Sequence, residues 1–255
     1  MLYFILFIGL IAFVGYAFYK MNSRKAKQFP SHWHDVLLKE VEFYKNLDTN
    51  EQVRFQNRMM QFLSEVYIDS VGFELKELDE ILIASSAVIP VFAFKEWYYP
   101  TVSGILLYPD YFNEDFEFSD KSKSRKIAGV VGSGRLERQM ILSKKALYHG
   151  FKNDNDGRNT AIHEFVHLID KMDGKIDGIP EVLMQKAYTI PWLKLVHDEM
   201  EAINRDKSDI RTYGGTKQAE FLAVASEYFF EKPKQMKKKH PELYKMLADC
   251  FGVKL

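Results

Sequence analysis

The chain has 255 residues, 47% of them hydrophobic and 27% charged, which is enough for one or two packed domains. Its 35 basic residues balance 35 acidic ones, which argues against direct nucleic-acid binding and against an acidic, disordered protein. The single cysteine, Cys250, cannot form an internal disulfide, so a cross-linked secreted scaffold is excluded.

The first 19 residues, MLYFILFIGLIAFVGYAFY, contain no charged side chain. As a helix they extend about 28 Å, close to the roughly 30 Å hydrocarbon core of a bilayer. The nearest basic residues all follow this run: Lys20, Arg24, Lys25 and Lys27. No basic residue precedes it and no Ala-x-Ala site follows, which favours an uncleaved anchor over a cleaved signal peptide. A buried core helix is disfavoured because the run has no polar face.

The basic flank also predicts the orientation of the chain, because excess Lys and Arg stay on the cytoplasmic side. We therefore expect residues 1–20 to be a single transmembrane helix in the inner membrane and residues 21–32 to be a basic juxtamembrane linker. No repeat or linker rich in Pro, Gly or Ser interrupts the remaining sequence. Residues 33–255 are accordingly predicted to form one domain, facing the cytoplasm.

Helical and strand patterns alternate along that domain. Apolar spacing predicts a helix over residues 50–66 and a buried helix over residues 78–94. Three short strands are predicted at residues 105–108, 129–131 and 138–142. The glycine-rich run that begins at residue 129 is interpreted as a turn between strands rather than a nucleotide loop.

The second half of the chain is mainly helical. A helix is predicted over residues 158–171, ending near Asp173-Gly174, and helical patterns dominate after Pro180. Helices around a small sheet predict a mainly helical α+β fold. The basic run at residues 232–239 is interpreted as a solvated linker between helices, with contact to anionic lipid as the alternative.

The segment His163-Glu164-Phe165-Val166-His167 carries the clearest chemical signal. Histidines four residues apart on a helix lie on one face, about one turn apart, and both imidazoles can bind one tetrahedral metal ion. The carboxylate of Glu164 lies beside the first ligand, where it can act on an attacking water. The apolar residues around the motif predict that its opposite face belongs to the core, which disfavours a helix with two surface histidines.

Two histidines leave a catalytic zinc site one protein ligand short. His197 and His240 lie in charged stretches and are predicted to be on solvated faces. The apolar helix predicted at residues 218–230 contains Glu220 and Glu227, which share a face but differ in height by about 10 Å. At most one of them can be the third ligand, and the other can hold a histidine N–H. Spacing alone does not choose between them.

Three segments together resemble a known family: HEFVHLID from His163, Tyr213-Gly-Gly-Thr with Ala-Glu ending at Glu220, and SEYFF shortly before Pro233. They are similar to the MtfA-like (Mlc titration factor A) zinc-dependent peptidases and, more distantly, to the catalytic domain of anthrax lethal factor. The resemblance runs from about residue 33 to residue 251 and omits the N-terminal anchor.

This resemblance implies a zincin-like fold and a gluzincin-like site with one zinc ion. It places the ion on His163, His167 and Glu220, because the family's tyrosine precedes the third ligand by seven residues, as Tyr213 precedes Glu220. Glu164 is then the general base, and Tyr213 faces the reacting oxygen.

Three further acidic residues are candidates for a contact with a ligand histidine. Glu227, Asp170 or Asp173 can orient a ligand imidazole, although the two aspartates are as consistent with helix termination or capping. The predicted strand at residues 138–142 is the expected sheet edge that an extended peptide substrate would extend.

The favoured hypothesis is a membrane-anchored zinc metallopeptidase that cleaves peptide bonds in a peptide or protein substrate. The alternative is a regulatory protein that sequesters a transcriptional repressor or another cytoplasmic partner, since the family's name records such binding. A purely structural zinc site is disfavoured because no fourth ligand is evident and Glu164 would have no role.

Overall fold

A computed structural model describes residues 28–113, 117, 126–132, 134–152, 156–184, 186–253 and 255. The predicted transmembrane anchor, residues 1–20, lies outside the described residues, as does most of the predicted linker. Among the helices that the structure does describe, none is long and apolar enough to cross a bilayer.

The described residues form a small sheet within a set of helices. The α-helices are α1 (Trp33–Glu40), α2 (Glu42–Lys45), α3 (Thr49–Glu65), α4 (Glu77–Val88), α5 (Lys144–Lys152), α6 (Thr160–Asp170), α7 (Thr189–Asn204), α8 (Gln218–Glu231), α9 (Pro233–Lys239) and α10 (Pro241–Phe251). The strands are β1 (Tyr67–Ser70), β2 (Gly104–Tyr108), β3 (Gly129–Val131) and β4 (Gln139–Ser143). The predicted mainly helical α+β architecture is confirmed.

The sheet has the order β1-β2-β4-β3. Strand β2 is parallel to both β1 and β4, and β3 is antiparallel to β4. The prediction that residues 138–142 form the sheet edge is therefore wrong, because β4 has a paired strand on each side. Its residues Met140, Ile141 and Leu142 are all buried, as expected for an interior strand with both faces covered. Among the described strands, the edges are β1 and β3.

Most of the predicted elements are confirmed with small changes at their ends. Helix α3 begins at a capping box in which Asp48 and Glu51 each bind the other's backbone N–H, which satisfies donors that a helix start leaves free. Helix α4 ends at Val88, and the predicted helix continues only as the short 3-10 helix Ile89–Val91. Strand β1 and helices α1, α2 and α5 were not predicted.

Helix α6, which carries both motif histidines, is fixed at both ends. The side chain of Asn159 accepts a hydrogen bond from the N–H of Ile162 at 3.1 Å, a standard N-cap. A 3-10 turn follows the helix and ends at Gly174, whose φ of 98° belongs to the left-handed region that favours glycine. The opposite face contributes Phe165, whose ring packs edge-on against Phe62, so the predicted core face is confirmed.

Two predictions near the C-terminus are wrong. The side chain of His240 is only 9% exposed, with Nδ1 3.0 Å from Glu199 and Nε2 2.8 Å from Asp209, whereas His197 is exposed as predicted. The basic run is not a linker but the helix α9, although most of its lysines are exposed as predicted and Lys239 pairs with Asp209 at 2.8 Å. The prediction for His240 failed because its acidic partners lie 31 and 41 residues away in sequence.

Candidate metal centre

Three side chains from two helices converge on one point. The Nε2 atoms of His163 and His167 are 3.1 Å apart, and Glu220 Oε2 lies 3.1 Å from the first and 3.5 Å from the second. A tetrahedral zinc ion with bonds of about 2.0–2.1 Å has ligand atoms about 3.3 Å apart. Two imidazoles and one carboxylate at these separations therefore fit a zinc ion.

Helices α6 and α8 bring these side chains together by packing against each other. Glu220 lies in the first turn of α8, where the helix dipole favours a carboxylate. Beyond that turn α8 is almost entirely buried, which fixes the helix firmly in the core. The third candidate ligand thus lies at the partly exposed end of a buried helix, where its carboxylate faces both imidazoles.

Glu227, two turns further along α8, lies behind His163. Its Oε1 is 2.8 Å from Nδ1 of His163, and its Oε2 accepts the backbone N–H of Asn159 at 2.6 Å. The guanidinium of Arg211 donates a hydrogen bond to the same Oε1. The structure thus separates the two glutamates that spacing could not: Glu220 faces both imidazoles, and Glu227 contacts only the far side of one.

The two aspartates that follow the motif make backbone contacts instead. Asp170 Oδ2 accepts the N–H of Gly178 at 2.8 Å, and Asp173 Oδ1 accepts the N–H of Lys175 at 2.9 Å. Neither Asp170 Oδ1 nor Nδ1 of His167 has a hydrogen-bonding partner among the described residues. The structure does not show either aspartate hydrogen-bonded to a ligand imidazole.

The charges of the ligand cluster are strongly coupled. Burial alone lowers the pKa of His163, but hydrogen bonds to Glu220 and Glu227 outweigh it and raise that pKa to about 10. Burial raises the pKa of Glu220, and its hydrogen bonds to both histidines outweigh this and hold that pKa well below the ordinary value. The metal-free cluster therefore retains a proton, which a metal ion must displace.

Glu164 is 5% exposed and lies on the side of α6 that faces strand β3. Burial raises the pKa of its carboxyl group, and the neighbouring histidines partly oppose this shift. A Cβ atom at Gly129 would lie 2.8 Å from both Cγ and Oε1 of Glu164 and 2.9 Å from the methyl group of Thr160. Only glycine lets β3 approach the helix this closely.

Tyr213 lies in the 3-10 helix Thr212–Gly215, just before α8. Its ring is nearly parallel to that of His163, with the ring centres 6.1 Å apart and an angle of 29° between the planes. The residue is 37% exposed, so part of its side chain beside His163 is open to solvent. The structure therefore brings Tyr213 to the cluster, together with His163, His167 and Glu220.

Three residues at this centre were not predicted from sequence: Asn159, Arg211 and Gly129. Asn159 contacts Glu227 through its backbone N–H, a role that its residue type does not reveal, although an asparagine before a helix is a recognisable N-cap. Gly129 acts through the absence of a side chain, which leaves no specific pattern in a single sequence. A signal for Arg211 did exist, because two carboxylates on an apolar helix need a cation nearby. The missing information was which basic residue the fold would bring to them.

Comparisons with a family model and with individual proteins point to the same family. A sequence model of the family described as glucose-regulated metallo-peptidase M90 matches residues 17–252. The chain is 28% identical to Mlc titration factor A of Escherichia fergusonii, over 89% of each chain. It is 29% identical to Mlc titration factor A of Cronobacter sakazakii, over 78% of this chain and 77% of that protein.

An uncharacterized protein of Synechocystis sp. is similar along nearly its whole length, with 27% identity over 96% of this chain and 93% of that protein. The resemblance to MtfA-like peptidases is confirmed by these matches, and the family description implies a metal-dependent hydrolase. This chain belongs to the glucose-regulated metallo-peptidase M90 family.

Proposed function

We propose that this protein is a zinc-dependent metallopeptidase that hydrolyses peptide bonds, with the zinc ion on His163, His167 and Glu220. The observation that carries this proposal is the convergence of three ligand atoms, all within 4.8 Å of one another, beside the buried carboxylate of Glu164. When bound, zinc supplies a Lewis acid that polarises the scissile carbonyl and acidifies a water molecule.

Glu164 and Tyr213 take the two remaining roles. Glu164 accepts the proton of the attacking water and delivers it to the leaving amine, as a general base and then a general acid. Its burial supports this role because the carboxylate is held in place by β3 on one side. The hydroxyl of Tyr213 donates a hydrogen bond to the developing oxyanion, a contact typically worth about 3 kcal/mol in the transition state.

The substrate in this proposal is an extended peptide that pairs with β3. This strand is antiparallel to β4 on one side and has no described strand on the other. It also packs against α6 next to Glu164, so a peptide added there passes the metal position. Backbone hydrogen bonds to a sheet edge are a common way to bind a peptide in extended form.

We further propose that residues 1–20 anchor the protein in the inner membrane with the peptidase domain in the cytoplasm. This proposal is supported by the uncharged N-terminal run and the basic residues that follow it. A second function, sequestration of a transcriptional regulator, is favoured by one observation: similar proteins carry the name Mlc titration factor A.

The substitution Glu164→Gln tests the mechanism. It removes the general base and keeps the metal ligands, so we expect about one zinc per chain and a loss of peptide hydrolysis of roughly 10²–10⁴-fold. Glu181→Gln, the same change at an exposed position, is the control and should leave both quantities unchanged. Retained metal with unchanged hydrolysis in Glu164→Gln would overturn the proposed role of Glu164.

The same variant separates proteolysis from sequestration. If the protein cleaves its partner, Glu164→Gln should capture that partner in a pull-down while the wild type does not. Equal capture by both proteins, with the partner intact, favours sequestration.

A second variant, Gly129→Ala, tests the position of Glu164 without changing its chemistry. The added methyl group collides with the Glu164 side chain, so we expect lower kcat at unchanged zinc content. Gly104→Ala on the neighbouring strand β2 is the control, because its methyl group meets mainly the mobile end of Gln139. Equal kcat values in both variants would contradict the proposed role of Gly129.

A further inference from the structure

The loop before α8 places a positively charged side chain, that of Arg211, on the Nδ1 side of His163. Arg211 lies two residues before Tyr213, and its carbonyl oxygen accepts the N–H of Gly214 at 2.9 Å. Its guanidinium donates a hydrogen bond to Oε1 of Glu227, the oxygen that also contacts Nδ1 of His163. Arg211, Glu227 and His163 thus form a continuous chain that leads from the loop to a candidate ligand.

The burial of Glu227 makes this chain energetically significant. Its side chain is almost completely inaccessible to solvent, and an ionised carboxylate in such a place costs several kcal/mol unless it is paired. The backbone N–H of Asn159 supplies a hydrogen bond but no charge. Among the described residues, the cationic partners of Glu227 are Arg211 and, only when protonated, His163.

A histidine that binds a metal through Nε2 carries its remaining proton on Nδ1 and donates it to an acceptor, which sets the tautomer and orientation of the ring. In this chain the acceptor on the Nδ1 side of His163 is Oε1 of Glu227. The guanidinium of Arg211 donates a hydrogen bond to the same oxygen.

We propose that Arg211 is a positioning residue for the metal centre: by holding the carboxylate of Glu227 against Nδ1 of His163, it fixes the orientation and tautomer of that ligand. This inference rests on the proposed zinc site. It also gives this loop two connections to His163, one through Arg211 and Glu227 and one through the nearby ring of Tyr213.

Zinc affinity of the full-length protein, measured by competition with a chromophoric chelator, tests the proposal. We expect Arg211→Met to weaken zinc binding by about 10–100-fold, the usual effect of removing a residue that orients a ligand. Arg211→Lys should recover most of the affinity because it restores the charge. The control is Arg205→Met, which removes an arginine paired with Glu201 on the exposed surface of α7 and should change the affinity less than 2-fold.

Spectroscopy separates positioning from a purely structural contribution. With Co²⁺ in place of zinc, the visible absorption reports the geometry of the ligands. We expect Arg211→Met to change this spectrum and Arg211→Lys to restore it. A structural role alone would lower the melting temperature of the metal-free protein and leave the spectrum of the Co²⁺ form unchanged, which would overturn the proposal.

A double-mutant cycle tests whether Arg211 acts through Glu227. In a Glu227→Gln background, Arg211→Met should cause little further loss of zinc affinity, whereas independent roles would give additive losses and refute the proposed chain. If Arg211→Met does not fold, Arg211→Gln serves in the same cycle.

The wild-type protein distinguishes failure of this inference from failure of the proposed function. A wild type that binds no zinc would refute the proposed function. A wild type that binds zinc no better than Arg211→Met would refute only this inference.

Discussion

The two histidines of α6 lie one turn apart and face the same point, yet their surroundings differ. On what we call the His163 side, the Nδ1 atom of His163 contacts Glu227, which is held by Arg211 and by the N–H of Asn159. On the His167 side, Nδ1 of His167 has no hydrogen-bonding partner among the described residues. A polar chain therefore contacts the Nδ1 side of one histidine, and none of the described residues makes such a contact with the other.

The contacts on the His167 side position helix α8 rather than an imidazole. Asp170, one turn beyond His167, accepts the N–H of Gly178, and the carbonyl oxygen of Gly178 accepts a hydrogen bond from the indole of Trp192 at 2.7 Å. Gly178 packs so closely against the first residue of α8 that a Cβ atom would lie 2.5 Å from the backbone of Gln218. This side therefore fixes the start of α8, and with it the position of Glu220.

The comparison teaches that the three candidate ligands are positioned by two means. Polar contacts orient the imidazole of His163, whereas backbone packing places the helix that carries Glu220. Substitutions on the His167 side should therefore affect folding most, and those on the His163 side should affect metal binding most.

The largest expected effect is that of Gly178→Ala. Its φ of 82° is unfavourable for alanine, and the added methyl group would displace the start of α8. The two costs together predict a loss of about 2–4 kcal/mol in the free energy of unfolding. Urea unfolding monitored by circular dichroism measures this loss.

Gly174→Ala is the matched control for that variant. Gly174 also has a positive φ, of 98°, but no atom lies within 4 Å of an added Cβ. It should therefore lose only the conformational part, about 1 kcal/mol. Equal losses in the two variants would show that close packing at Gly178 does not hold the start of α8.

A smaller effect, confined to metal binding, is expected from Glu227→Gln on the His163 side. This substitution keeps the shape of the side chain but removes the charge that Arg211 and His163 share, so zinc affinity should fall by about 10–100-fold. Asp170→Asn on the His167 side should lower zinc affinity by less than about 3-fold, since its contact is to a backbone N–H. Calorimetric titration measures both, and similar losses would abolish the distinction between the two sides.

The site residues that follow from local sequence patterns could be predicted, whereas those that depend on how helices and strands pack could not. The positions of His163, Glu164 and His167 follow from helix periodicity, which is a local property, and the family resemblance pointed to Glu220. Arg211 could not be predicted, because only the packing of α6 against α8 determines which cation reaches Glu227. Residues 138–142 were predicted as the sheet edge because they precede the helix with the two histidines, but position along the chain does not reveal which strands pair, and the pairing places β3 outside β4.

The charged cluster around His240 shows the same limitation in the fold as a whole. Its sequence neighbours are lysines, which suggested solvation, whereas its contacts are to Glu199 and Asp209 on other segments. The bounds of α3, α6 and α8, by contrast, were predicted to within about two residues, since apolar spacing and capping residues are both local signals.

The smallest predicted effect concerns Asp209, which supports the loop that carries Arg211. Burial raises the pKa of Asp209, but hydrogen bonds from Lys239, His240 and Tyr228 outweigh it and hold that pKa well below its ordinary value. The pKa of His240 is raised, chiefly by its hydrogen bond to Glu199. Because the pKa of the aspartate is depressed in the folded state, its stabilisation is complete above about pH 4 and is lost as the pH falls further.

The raised pKa of His240 has the opposite consequence, since its stabilisation is complete below about pH 6.5 and is lost as the pH rises through the folded-state value. Both contributions coincide between about pH 4 and pH 6.5. Asp209→Asn should therefore reduce the free energy of unfolding by about 1 kcal/mol at pH 5.5 and by clearly less at pH 9. Urea unfolding at the two pH values measures the difference. An equal loss at both would mean that the charge of His240 does not contribute to the stabilisation that Asp209 provides, and that its contacts with Lys239 and Tyr228 account for it.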